Sequence, residues 1–154
     1  MNLNLKKVTY KNYGEVKSLH VAKGQEGFIE TTEQCLNEAK NLDIWRPVGI
    51  YDDKNLIGFA MYGFFKNEGE NGRVWLDRFM IGSYHQGKGY GKTSLILLIN
   101  QLKKEYNCEE IFLSIYEANI IATKLYKEIG FKFNGEFDIN KEKVMVLNLR
   151  YTCN

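Results

Sequence analysis

Val74-Trp75-Leu76-Asp77-Arg78-Phe79-Met80-Ile81-Gly82-Ser83-Tyr84-His85-Gln86-Gly87-Lys88-Gly89-Tyr90-Gly91-Lys92-Thr93 reads as a strand that runs into a glycine loop and then straight into a helix. Such a junction aims several backbone N–H groups and the positive end of a helix dipole at one point, which makes a site for phosphate. In a simple strand Trp75, Asp77, Phe79 and Ile81 share one face while Leu76 and Met80 share the other; a bulge would shift that phase. The helix is marked by Leu95, Leu98, Ile99 and Leu102 at i, i+3, i+4 and i+7, and it ends near Tyr106-Asn107.

On the C-terminal side, Ile111 to Ile115 is an apolar run of strand length. Asn119 is placed to cap a helix that ends at Gly130, with Ile121, Leu125 and Ile129 as its expected core face. Phe131 to Phe137 and Val144 to Leu149 follow as two strands around a turn containing Asn140 and Lys141. On the N-terminal side, Pro47 to Tyr51 and Leu56 to Tyr62 flank the turn formers Asp52-Asp53-Lys54-Asn55 and read as a hairpin. Thr31 and Gln34 have the spacing of a capping box, with Leu36 and Ala39 on one face of the helix they open. Tyr13 to Val21 carries Val16, Leu19 and His20 at helical spacing, and Leu3 to Val8 alternates as a first strand. Hairpins at both ends around a strand-helix-strand crossover define an α+β class with a mixed sheet.

The 154 residues suit one domain spanning 1–154, and an apolar fraction of 44% with 14% aromatics fits a compact globular chain. A net charge of +2 gives no global field for nucleic acid, and no segment is apolar for the length a membrane helix needs. Cys35, Cys108 and Cys153 form no C-x-x-C pair, and the N-terminus lacks a signal-peptide core, so a cytoplasmic, reducing setting is expected. His20 and His85 are the only histidines, and no metal site is expected.

The identity of the phosphate follows from which patterns fail. A triphosphate loop G-x-x-x-x-G-K-[ST] ending in Gly91-Lys92-Thr93 would need glycine where Gln86 stands, and G-x-G-x-x-G from Gly87 and Gly89 would need one where Lys92 stands. The match is Q-x-x-G-x-G, through Gln86, Gly89 and Gly91. Together with the strand before it, and with Asn119 followed by Leu125-Tyr126-Lys127-Glu128-Ile129-Gly130-Phe131, the chain resembles the GNAT superfamily of acetyl-CoA-dependent N-acetyltransferases. The resemblance implies a mixed, mostly antiparallel central sheet of about six to seven strands with about four helices, and acetyl-CoA as co-substrate. It further implies cofactor contacts at Phe79, Met80 and Ile81 on a splayed strand edge, and at Gln86, Gly87, Lys88, Gly89, Tyr90, Gly91 and Lys92 in the loop. Asn119 and Tyr126 complete that set.

The residues agree with the resemblance on their own chemistry. Glycines at 87, 89 and 91 let backbone approach a ligand closely, and Lys88 and Lys92 add positive charge. Asn119, Ala122 and Tyr126 fall on one helical face, along which a ligand arm could lie. An alkylamine with pKa of about 10.4 is almost wholly protonated at neutral pH, so a group must accept its proton, and Asp77 is the candidate base or cation anchor. Tyr126 stands at the family's general-acid position for the leaving thiolate. Glu26, Phe28, Glu30 and Glu33 precede or open the second helix. They read either as a solvated helix entry or, through Glu26 and Glu30 with Asp77, as a site for a cationic substrate. Across its length the chain is most similar to the family's bacterial polyamine acetyltransferases, for spermidine or spermine. A protein or peptide amine, an aminoglycoside, or a silent acyl-CoA sensor are the alternatives. The family's habit also implies a possible homodimer.

Overall fold

The computed structural model describes residues 1–28 and 30–151, without the side chains of Phe28 and Tyr151; Cys153 lies outside the described residues. Seven strands form one sheet: β1 (Leu3–Lys7), β2 (Arg46–Asp52), β3 (Asn55–Phe65), β4 (Arg73–Ile81), β5 (Glu110–Ile115), β6 (Lys132–Phe137) and β7 (Lys143–Asn148), in the spatial order β1-β2-β3-β4-β5-β7-β6. The helices are α1 (Tyr13–Lys17), α2 (Thr32–Asn41), α3 (Tyr90–Tyr106) and α4 (Ile120–Ile129). Every pairing is antiparallel except β4 with β5, the one pair joined by a long helical crossover. The expected class and element counts hold.

Alternation along β3 divides the core: Ala60 and Tyr62 face the cluster that holds Leu95, Leu98, Ile99 and Leu102 of α3, whereas Phe59 and Met61 face Val16 of α1 with Cys35 and Leu36 of α2. Ile57 joins the α3 cluster out of phase, because the β2–β3 pairing skips it between Tyr51↔Leu56 and Ile50↔Gly58. Thr31 caps α2 through a complete capping box with Gln34, each side chain bonding the other's backbone N–H. α1 is shorter than its periodicity predicts. The Ser18 hydroxyl bonds the Glu15 carbonyl at 2.8 Å at the helix end, and Leu19 and His20 lie in the following loop.

Two features of β4 shape the site. Met61 on β3 pairs with Arg78 while Tyr62 pairs with Leu76, which leaves Asp77 as the extra residue of a bulge. Past it the phase flips: Leu76, Phe79 and Ile81 belong to the α3 side and Met80 to the α2 side. The simple-strand reading that put Leu76 and Met80 together is thereby corrected. Second, β4 pairs with β5 only at Val74↔Ile111 and Trp75↔Phe112, although β4 continues on β3 as far as Ile81 and β5 continues on β7 as far as Ile115. The two strands therefore part beyond Trp75 and open a cleft in the middle of the sheet.

On α4 the buried positions are Thr123 and Tyr126, flanked by Ala122, Leu125 and Ile129, while Ile121 is 76% exposed. The expected stripe through Ile121 is thus rotated, because Tyr126 takes the centre of the packed face and sets the phase for its neighbours at i−4, i−3 and i+3.

Candidate active site

A cavity of about 690 Å³ fills the gap between β4 and β5. One wall is β4 from Leu76 to Ile81; the other is Leu113 to Ile115 of β5 with Asn119, Ala122, Leu125 and Tyr126 around α4. The glycine loop closes one end. Gly87 and Gly89 have φ of +76° and +84°, and an added Cβ at either would meet nothing within 4 Å. They are needed for their backbone conformation, and the space beside them is open. Gly89 is the N-cap of α3 and supplies no side-chain cap, so the first-turn N–H groups of α3 are left without that partner, as an anion cradle requires.

The side chains of the loop are used largely for anchoring. The Gln86 amide donates to the Ile81 carbonyl at 2.9 Å and to Gln25 Oε1 at 3.0 Å, and Gln25 returns a bond at 3.3 Å. Tyr90 donates its hydroxyl to Asp52 Oδ2 at 2.6 Å, which ties the start of α3 to the β2–β3 turn. Lys88 and Lys92 are not among the residues lining the cavity. Asn119 caps α4 by accepting from the Ala122 N–H at 3.4 Å, which occupies its Oδ1.

Tyr126 is 8% exposed, stacks edge-on against Phe131 and lines the cavity. Its hydroxyl has no hydrogen-bond partner among the described residues, and burial raises its pKa above that of an ordinary phenol.

The other end of the cavity is acidic. Glu30, Asp77 and Glu142 line it against the single guanidinium of Arg78, with no lysine. Arg78 pairs with Asp77 Oδ2 at 2.8 Å and with Glu30, and it donates to the Asp77 carbonyl at 2.7 Å. The Asp77 contact has ion-pair distance without hydrogen-bond alignment, so Oδ2 is buried with no aligned donor. Burial pushes the Asp77 carboxyl up to about 6; Arg78 opposes this, and the charges of Glu38 and Glu30 add to it. The bulge explains the placement, because an unpaired residue is free to turn its side chain into the cleft.

Glu26 does not line the cavity; its carboxylate accepts the Gly24 N–H at 2.8 Å. Glu33 pairs with Lys17 at 3.4 Å. The Phe28 side chain of the proposed acidic and aromatic cluster lies outside the described residues. Sequence reasoning missed Glu142, which sits at the end of the β6–β7 turn. Only the turn formers around it were legible, and they carry no direction for its carboxyl. Among the described residues no group of three His, Cys, Asp or Glu side chains could hold a metal, and no helix is long and apolar enough to cross a membrane.

The model of the acetyltransferase (GNAT) family matches residues 10–131. The spermine/spermidine N(1)-acetyltransferase of Bacillus subtilis strain 168 is 49% identical over 152 residues, covering 97% of this chain and all of the relative. Among solved structures, the spermidine N-acetyltransferase from Vibrio cholerae in complex with CoA and spermine superimposes with a TM-score of 0.72 at 22% identity, over 97% of this chain and 96% of that one. An aminoglycoside acetyltransferase in complex with coenzyme A reaches 0.80 at 16% identity, with the same shares covered. The glycine loop at the start of α3, the cleft between two parting strands and this similarity along the whole chain lead to one conclusion: the chain belongs to the acetyltransferase (GNAT) family.

Proposed function

We propose that the protein transfers the acetyl group of acetyl-CoA to a primary amine of a polyamine. The observation that carries this reading is a single cavity running from a glycine cradle at the N-terminus of α3 to an end lined by Glu30, Asp77 and Glu142. Anion affinity at one end and cation affinity at the other suit a diphosphate-bearing thioester and a polycationic acceptor. The 49% identical relative is named for spermine and spermidine, which supports the same choice of acceptor.

The residues fit the co-substrate. Gly87, Gly89 and the open first turn of α3 would hold the pyrophosphate. The edge of β4 left unpaired by β5 would offer backbone groups at Phe79 and Ile81 to the amide-bearing arm. When bound, acetyl-CoA supplies an activated acyl group on a thiol leaving group. Asp77 holds the acceptor nitrogen and takes its proton as attack proceeds. Ionised above a pKa of about 6, it is available as a base at neutral pH. Arg78 keeps that carboxylate in place. Tyr126 donates a hydrogen bond to the departing sulfur. Because burial raises the phenol above its usual value of about 10, full proton transfer to a thiolate of about 8.5 is uphill by more than 2 kcal/mol, and hydrogen bonding is the favoured role.

The test is thiol release from acetyl-CoA with spermidine, spermine, a lysine peptide and an aminoglycoside. Turnover highest with the polyamines is expected. Binding of CoA without turnover of any amine would overturn the reading.

A further inference from the structure

The loop between α1 and α2 brings Val21, Gln25 and Glu30 to the wall of the cavity, and the start of the glycine loop brings Gln86, Gly87 and Gly89. Gln25 is half-buried, while Lys23, Gly24, Glu26 and Gly27 around it are exposed. Gln25 and Gln86 form a closed pair: the Gln86 amide donates to Gln25 Oε1 at 3.0 Å, and the Gln25 amide donates to Gln86 Oε1 at 3.3 Å. The Gln86 amide is held in one orientation, because its nitrogen also donates to the Ile81 carbonyl at 2.9 Å and the reversed amide would set oxygen against oxygen there. Ile81 thus orients Gln86, and Gln86 orients Gln25. At the same junction the Ser83 N–H donates to the His20 carbonyl at 2.9 Å, and the Thr32 hydroxyl donates to the Leu19 carbonyl at 3.1 Å. Gly82 packs so closely there that an added Cβ would lie 2.8 Å from Leu19 Cδ2. The loop that carries Glu30 and the loop that offers the anion cradle are therefore bonded into one unit at the end of β4, and the Gln25–Gln86 pair is the part of it that lines the cavity.

We infer that Gln25 is a positioning residue for the co-substrate: it holds Gln86, and through Gln86 the adjoining glycines, so that filling either end of the cavity favours filling the other. The inference rests on the function proposed above and adds the residue that links its two halves. Gln86 is followed directly by Gly87, whose φ of +76° is one of many conformations open to glycine. Such a residue keeps its direction when its neighbour is fixed, and the neighbour here is tied on one side to Ile81 and on the other to Gln25. An acceptor that orders the α1–α2 loop through Glu30 spares the glycine loop part of the entropy it loses on holding a diphosphate. A diphosphate that orders the glycine loop does the same for the acceptor, and linkage makes the two effects equal.

The test compares wild type, Gln25→Met, Gln86→Met and the double variant by calorimetry with CoA and spermidine and by steady-state kinetics. Gln25→Met keeps the length of the side chain and removes both amide bonds. It is expected to weaken CoA binding about fivefold, the worth of one ordinary hydrogen bond, while kcat changes less than about twofold. Because Gln25 acts through Gln86, the double variant should bind CoA no more weakly than Gln86→Met alone. Spermidine should bind CoA-loaded wild type more tightly than the free protein, and that ratio should shrink at least about twofold in Gln25→Met. Attraction between an anionic co-substrate and a polycation adds to the ratio in both chains, so the difference isolates the pair. The ratio needs only Gln25→Met and stands even if the Gln86→Met chain does not fold. Unchanged CoA affinity in Gln25→Met, losses that add in the double variant, or the same ratio in wild type and Gln25→Met would each overturn the inference and leave the function standing. Wild type that binds CoA and no amine overturns the function, and the inference falls with it.

Discussion

Two side chains at the centre of the cleft carry the proposed chemistry. Tyr126 packs its ring against Phe131 while the residue lines the cavity, and its hydroxyl bonds no described residue. Tyr126→Phe keeps the packed ring and removes only that hydroxyl, so it is expected to melt close to wild type while kcat falls at least tenfold and CoA binding stays within about threefold. Thermal denaturation and steady-state kinetics on the same preparation check both halves. An equally fast variant would remove the tyrosine from the chemistry. Asp77 gives the matching pH signature. Its carboxyl, raised to about 6, must be ionised to act, so kcat/KM for the amine should climb as pH rises through that value. Asp77→Asn should lower the plateau and abolish that limb of the profile.

The glycine cradle makes a prediction at the level of an element. Gly89 ends the loop at φ +84° with open space where a Cβ would stand. Alanine there costs about 1–2 kcal/mol of backbone strain and meets no protein atom. Its methyl would stand in the open space where the diphosphate is proposed to bind. Gly89→Ala should thus raise the acetyl-CoA KM tenfold or more with only a modest drop in melting temperature, whereas collapse of the fold would show that Gly89 serves structure alone. Elements of this kind were legible because their signals are local: periods of two and 3.6, the Thr31–Gln34 box, and glycines before a helix. The bulge at Asp77 was not, since apolar residues flank it on both sides and an extra residue leaves no mark on composition. Nor was the rotation of α4 away from Ile121, which depends on where Tyr126 packs. The glycine loop is one local motif and its form is legible in the sequence, as are Glu30 and Asp77 as acidic candidates. That Glu142 of the β6–β7 turn joins those two at one cavity, and that Glu26 does not, required the fold.

At the scale of the whole molecule the acidic end of the cleft should set how stability depends on pH. Asp77 and Glu142 have folded-state values of about 6 and about 7 against ordinary carboxyl values of 3.8 and 4.5. Between each pair of values the folded chain binds more protons than the unfolded chain, so stability falls as pH rises through that window. The loss is complete above the folded value and absent below the unfolded one. Neutral amides at these positions remove the cost of ionising in place. Asp77→Asn and Glu142→Gln should therefore melt above wild type at pH 8 and match it at pH 4, with the gap opening between about pH 4 and 6 for the first and about pH 5 and 7 for the second. Glu117 and Glu136, lowered at their ion pairs, act in the opposite direction but contribute equally to variant and wild type and cancel in the difference. Asp138 is lowered in part by a bond from the Glu142 side chain, for which glutamine at 142 keeps a donor. Spermidine should narrow the pH 8 gap by stabilising wild type more than either variant, since a bound polycation offsets the same repulsion. Melting curves at several pH values, with and without spermidine, measure both effects; a gap independent of pH would mean that the two carboxyls are not held under strain by the cleft.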